Sequence, residues 1–268
     1  MNPKETEQIV RSLQESITSL QSDESYRRYL SLLSRFHTYS FRNTLLIYRQ
    51  MPSATYVAGY HTWMKEFERH VKKGEKGIRI FAPCRCRRDP EEIAFFRCIS
   101  VFDVSQTEGR PLNAFISEKI QGTIEDEDAF LHALYFVCPV EVRERKDMDI
   151  HGCYDPKAQC IYLKEGMEKK LAIRTLIHEI AHASMHTRSS LSRRTKEVEA
   201  ESVAYTVCAH YGLDTSPYSF GYIAGWMEEE NSFEKSMHAI SETSSALIQQ
   251  LDQLLIPKVS AHVLMPKA

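Results

Sequence analysis

The sequence predicts an α+β protein in two parts, on three observations. The first fifty residues repeat their apolar side chains at helical spacing. From Thr55 to about Val104 the pattern changes to short, alternating runs rich in β-branched and aromatic residues. The second half then carries two helical patterns, about 168–187 and 195–211, the first of which contains the segment HEIAH from His178 to His182. The expected organisation is a small N-terminal α+β domain over 1–112 and a second domain over 113–268 built around the histidine-bearing helix.

Taken in order, Tyr26, Tyr29, Leu30, Leu33 and Phe36 recur at spacings of three and four, and Pro52 ends the helical start. ATYVAGY, GIRIFAP and IAFFRCISVFDVS read as strands, and HTWMKEFERHV between them as a short helix. The turn KKGEKG leads into the second strand. Residues 111–128, polar and acidic, make a linker. DAFLHALYFVC then reads as a helix, CPVEVRE as a strand, and GCYDPKAQCIYLKEG as a hairpin turning at Asp155-Pro156-Lys157. After the two central helices, residues 222–255 give one or two closing helices. The chain has no internal repeat.

Composition excludes several classes. Hydrophobic residues make up 43% and charged residues 26%, ordinary for a globular protein. The net charge of -2 argues against a uniformly basic nucleic-acid binder. No apolar run reaches the length of a membrane span, and the N-terminus carries no signal-peptide core, so the expected setting is cytoplasmic, with no membrane partner. The seven cysteines are scattered; Cys84 and Cys86 are too close for a zinc knuckle, and the expectation is reduced thiols.

His178 and His182, four apart, project from one face of a helix, so two imidazoles can grip one ion. Glu179 stands where a carboxylate can reach a water on that ion. This is the H-E-x-x-H arrangement of the zincins, and the second domain is expected to be a zincin-like metallopeptidase domain with zinc as its cofactor. Ala181 and Ala183 let backbone and ligands come close. Catalytic zinc takes three protein ligands and keeps one position open. Glu197 is the expected third ligand. Glu201, one helical turn later on the same face, would orient a histidine N–H; reversed roles for these two remain open, and Glu199 points elsewhere. A metzincin would need Gly and His where the chain has Met185 and Arg188. His186 is expected to be a C-terminal helix histidine favoured by the dipole. In the expected mechanism, Glu179 is the general base and passes the proton to a leaving amine. Tyr154, Tyr205 and His210 are candidates to stabilise the oxyanion, and the strand around Ile161 to Leu163 is the candidate for binding an extended peptide.

HEIAHA followed by EVEAESVAY resembles the zincin-like domain of the ImmA/IrrE and ArdC type. That family uses a pattern close to E-x-x-A-N-x-F-A, and this chain has Glu201 in place of Asn and Val203 in place of Phe. SFRNTLLIYRQMPSATYVAGYHTWMKEFERHVKKGEKGIRIFAP and VFDVSQTEGRPL resemble the N-terminal domain of ArdC-type antirestriction proteins. Together the resemblances run from about Ser40 to Trp226. They imply single-stranded DNA as a partner of the first domain, and a role in antirestriction or mobile-element transfer. Arg42 and Asn43 match the start of the N-terminal motif.

The residues also support a nucleic-acid surface. From Lys65 to Arg88, cations including Lys72, Lys73, Lys76 and Arg79 outnumber Glu66, Glu68 and Glu75, with Tyr56, Tyr60, Trp63 and Phe67 interleaved. Cations along a backbone and aromatic faces for bases are what single strands need. Trp63 is the candidate stacking residue. The leading expectation is a zinc metallopeptidase acting on an unidentified peptide or protein, with single-stranded DNA held by its first domain. The rivals are a non-catalytic DNA-binding protein with a structural zinc, and a regulatory peptidase that cleaves a repressor.

Overall fold

The computed structural model describes residues 22–88, 91–112, 126–215 and 230–255, together with Leu13, Glu15, Ile17 and Leu20. The side chains of residues 85–95 and 230–232 lie outside this description, as do most of the 111–128 linker and residues 222–229 of the closing segment.

Two helices open the described chain, α1 (Asp23–Arg35) and α2 (Phe41–Gln50). Each starts at a serine whose hydroxyl accepts a first-turn N–H, Ser22 from Ser25 and Ser40 from Asn43. The strands β1 (Val57–Gly59), β3 (Ile78–Arg88) and β4 (Glu91–Asp103) form an antiparallel sheet in the order β1-β4-β3. The segment HTWMKEFERHV divides: α3 (Tyr60–Lys65) ends early, and β2 (Arg69–Val71) pairs with β5 (Thr107–Gly109). The partner of β2 is distant in sequence, so local periodicity hides it.

β3 is an edge strand, and α2 covers it with two amides. Asn43 Nδ2 donates to the Phe81 carbonyl at 2.7 Å while its Oδ1 accepts from Phe81 N. Gln50 repeats the pattern on Arg79, donating to its carbonyl at 2.9 Å and accepting from its N–H. Paired amides satisfy backbone groups that would otherwise template another strand.

The second half comprises α4 (Glu127–Val137), β6 (Glu141–Arg145), β7 (Gly152–Asp155), β8 (Cys160–Lys164), α5 (Lys169–Met185), α6 (Arg193–His210) and α7 (Glu230–Leu255). The sheet order is β6-β8-β7, with β6 parallel and β7 antiparallel to β8. The expected peptide-binding strand at Ile161–Leu163 is therefore the central strand, paired on both sides, and the edge strand packed on α5 is β7. Asp155 makes the hairpin turn, accepting from the N–H groups of Lys157 and Ala158.

α1 and α2 serve two cores. On one side Tyr26, Tyr29, Leu30, Leu33, Phe41 and Leu45 join Phe130, Ile161, Leu176, Val203 and Ile248. On the other, Leu32, Phe36, Leu46 and Ile47 pack on Val57, Ile78, Ile80 and Val101 of the first sheet. The Tyr26 hydroxyl lies 2.8 Å from the Ser202 hydroxyl on α6, buried.

Candidate metal centre

α5 buries Ile173, Leu176, Ile177 and Ile180 in the core and turns His178 and His182 toward α6. Ala181 on α5 and Ala200 and Ala204 on α6 are fully buried, and such small side chains let two helices approach closely. His178, His182 and Glu197 come together as a possible ion-holding group. Nε2 of His178 and Nε2 of His182 are 3.1 Å apart, and Glu197 Oε2 stands 3.4 and 3.6 Å from them. Three N/O ligands at the bond lengths of tetrahedral zinc stand roughly 3.3 Å apart from one another, so this donor set fits a tetrahedral divalent ion.

Each imidazole is held from its other nitrogen. Nδ1 of His178 lies 3.2 Å from Glu201 Oε2, and Oε1 of the same carboxylate is 3.6 Å from the Arg174 guanidinium. Nδ1 of His182 lies 2.9 Å from Nδ1 of His186, whose Nε2 is 2.8 Å from Glu199 Oε2. His186 and Glu199 are both buried. Glu199 does turn away from the three converging donors, but it is not idle, and His186, at the C-cap of α5 as its place in the sequence suggested, is a buried side chain with a contact at each ring nitrogen. Three histidines at successive turns facing a helix with three glutamates were the available signal.

Charge follows from this geometry. Burial alone would lower the His178 pKa, but hydrogen bonds to Glu197 and Glu201 outweigh it and raise it to about 9. The two histidine hydrogen bonds hold the Glu197 carboxyl well below the usual carboxylate range. Glu179 is pushed up by burial, against the opposing influence of the two histidines and of the Tyr154 N–H, which donates to it. β7 thus delivers a backbone donor to the carboxylate next to the imidazole pair. Gly152 permits this approach: a Cβ there would stand 2.6 Å from Thr175 Cγ2 and 3.3 Å from Glu179 Cγ.

The oxyanion candidates separate. The Tyr154 hydroxyl is 2.9 Å from the Thr187 hydroxyl and accepts from Gln159. Tyr205 is buried. His210 bonds the Ser34 carbonyl and stacks edge-on against His37, about 20 Å along α6 from Glu197.

In the first half, Lys72, Lys73 and Lys76 are exposed on the turn between β2 and β3, where Gly74 takes φ +91°. Lys72 Nζ donates to the Ser105 carbonyl and Arg79 to the Ser100 hydroxyl. Arg42 is paired with Glu234 of α7 at 2.9 Å. Trp63 requires a correction. Its ring is fully buried against Tyr56 and Phe67, and its Nε1 donates to the Phe102 carbonyl, so no face is open to a base. Aromatics four apart on a short helix serve the core here. Among the described residues of this half, the large aromatic side chains that are exposed are Tyr60 and Phe96.

The architecture is that of a mixed helix-and-sheet protein whose second half assembles a candidate divalent-metal site between two helices. Residues 3–115 match the family described as the N-terminal domain of anti-restriction factor ArdC. Two crystal structures of the antirestriction ArdC protein from the R388 plasmid, one metal-free and one Mn(II)-bound, are similar in fold. Each has a TM-score of 0.52 over 81% of this chain, at 20% and 21% identity, covering 85% and 84% of the ArdC chain. An uncharacterized Bacillus anthracis protein, pXO2-81, is 28% identical over 93% of this chain. The chain spans about half the length, 52%, of that curated relative. Among the described residues, no helix is long and apolar enough to cross a membrane.

Proposed function

We propose that this chain is a zincin-like, metal-dependent peptidase of the ArdC type, acting in antirestriction or mobile-element transfer, with its first half holding single-stranded DNA in the cytoplasm. The observation that carries the reading is the convergence of His178 Nε2, His182 Nε2 and Glu197 Oε2 at tetrahedral-ligand spacing, with Glu179 beside them. These three residues would hold the ion. The Mn(II)-bound relative supports a divalent ion, and the nitrogen-rich donor set favours zinc. When bound, such an ion lends Lewis acidity to a carbonyl oxygen and to a water. Glu179, raised by burial and oriented by the Tyr154 N–H, takes a proton from the attacking water and hands it to the leaving amine. The outer edge of β7, rather than β8, is where an extended peptide would pair. Lys72, Lys73 and Lys76 supply cations for a phosphate backbone, with Arg79 on the adjoining strand, and Tyr60 is an exposed ring in the same half of the chain.

The test is metal analysis of the purified protein and of Glu179→Gln, with peptide hydrolysis and oligonucleotide binding measured on both. The reading expects both proteins to carry the ion and bind DNA, and only the wild type to cut. Equal activity of the two would favour a non-catalytic DNA-binding protein with a structural ion.

A further inference from the structure

Beyond the three converging donors, the second half contains a buried chain of polar groups that their chemistry does not require. It runs Glu199, His186, His182. The side chains of His186 and Glu199 are 4% and 3% exposed, so each meets the other rather than bulk solvent. The contacts are 2.8 Å from Glu199 Oε2 to His186 Nε2 and 2.9 Å from His186 Nδ1 to His182 Nδ1. The far nitrogen of His182 then meets His178 Nε2 at 3.1 Å.

The direction of the chain follows from what each group can do. A carboxylate accepts hydrogen bonds and cannot donate them. The proton between Glu199 and His186 therefore sits on His186 Nε2. In the neutral ring, the other nitrogen, Nδ1, is then a bare lone pair. The two facing Nδ1 atoms share one hydrogen bond, and with His186 neutral its hydrogen comes from His182. His182 is thereby the Nδ1–H tautomer, with its Nε2 lone pair aimed at the cluster.

We propose that Glu199 and His186 are positioning residues that fix His182 in its ligating tautomer, through an intermediate imidazole rather than by direct contact. The inference rests on the metal reading above. It makes the two ligand histidines unlike: His178 is oriented by Glu201, a part-exposed carboxylate, and His182 by a relay sealed inside the protein. Tethering a ligand histidine by its distal N–H raises its basicity and holds its ring angle, and removing such a tether costs 10–100-fold in metal affinity as an order of magnitude.

The experiment uses the full chain labelled with 15N at histidine. Long-range 1H–15N spectra of the metal-free protein identify which nitrogen of His182 carries hydrogen, and zinc and manganese titrations give affinities. The proposal expects a single Nδ1–H pattern at His182 in the wild type. In Glu199→Gln, whose amide can donate as well as accept, it expects mixed tautomers and metal binding weakened by about 10–100-fold. A second variant, Glu199→Leu with His186→Phe, replaces both buried partners by apolar groups and leaves no unpaired charge, so the fold is preserved if the single variant fails. It is expected to lose the same affinity. Wild-type affinity and an unchanged His182 spectrum in a folded variant overturn the proposal, since a purely structural pair would alter only the melting temperature. If the wild type binds neither metal, the metal reading fails, and the His182 spectra alone still decide whether the relay sets its tautomer.

Discussion

Glu201 Oε2 lies 3.2 Å from Nδ1 of His178, on the side of the ring opposite the nitrogen that meets Glu197. Two carboxylates four residues apart on α6 thus grasp one imidazole from both ends, and their fates on mutation should differ. Glu197→Gln removes a donor from the candidate ion site. It is expected to weaken zinc or manganese binding by more than the roughly 10–100-fold that a lost tether costs, and to lower the melt of the metal-free protein at neutral pH, where Glu197 partners the His178 ring. Glu201→Gln removes only a tether and is expected to cost about 10-fold. Isothermal titration with each metal separates the two.

Metal uptake should depend on pH through His178. Its pKa of about 9 means that the ring carries a proton at neutrality, and that proton must leave before Nε2 can ligate. Affinity is expected to rise about tenfold per pH unit up to about pH 9, with roughly one proton released per ion, measured by titration in buffers of different ionisation enthalpy. The metal-free fold should behave oppositely. A raised pKa contributes stability that is fully present below the ordinary value of 6.5 and lost as pH rises through about 9. Thermal melts of the metal-free protein should therefore fall across that window.

Burial divides the candidate DNA residues. Trp63→Ala empties a core site and is expected to cost ~3–5 kcal/mol of stability. Tyr60→Ala, at a ring 47% exposed, should leave the melt unchanged and weaken oligonucleotide binding by ~1–3 kcal/mol. Charge reversal at Lys72 and Lys73 should lower affinity and flatten its salt dependence by about 0.7 in log–log slope for each phosphate that is no longer neutralised. Fluorescence anisotropy at several salt concentrations, beside a thermal melt, reads all three.

What is legible in the sequence is what helical periodicity dictates. His178 and His182 on one face, and Glu197 and Glu201 on another, follow from a spacing of four. The link from Glu199 to His186 does not, because it depends on how α5 and α6 cross, and that is set by packing against α1 and the rest of the core. β2 reads as the end of a helix because three residues hold no periodicity of their own and its partner β5 lies far along the chain. Trp63 is ambiguous for the same reason: aromatics four apart serve a core and a binding face equally well until burial is known.

Gly152→Ala tests the tie between β7 and the general-base candidate. The added methyl would meet Thr175 Cγ2 at 2.6 Å and Leu163 Cδ2 at 3.1 Å, so the strand must move away from α5. Overpacking of this kind costs ~1–3 kcal/mol. The Tyr154 N–H would retreat with the strand from Glu179. Peptide hydrolysis is expected to fall well beyond what the lost stability explains, while metal affinity stays near wild type. A protein stable and fully active with alanine there would show that β7 does not orient Glu179.

Fragment 113–268 should not fold alone. The core of the second half includes Tyr26, Tyr29, Leu30, Leu33, Phe41 and Leu45 from α1 and α2, and the Tyr26 hydroxyl reaches Ser202 on α6, in the helix that carries Glu197 and Glu201. Fully burying each such side chain is worth ~1.5–3 kcal/mol. Deleting the set forfeits on the order of 10 kcal/mol, comparable with the whole stability of a domain at ~5–15 kcal/mol. The fragment is expected to lack a cooperative melt and to bind no zinc at the affinity of the intact chain. A fragment beginning at Ser22 should retain both, because it keeps α1 and α2. Circular dichroism and metal titration on the two fragments decide it. A well-folded, metal-binding fragment 113–268 would mean that α1 and α2 only rest on the second half. Failure of that fragment beside success of the longer one would make the first two helices part of the metal centre's own foundation.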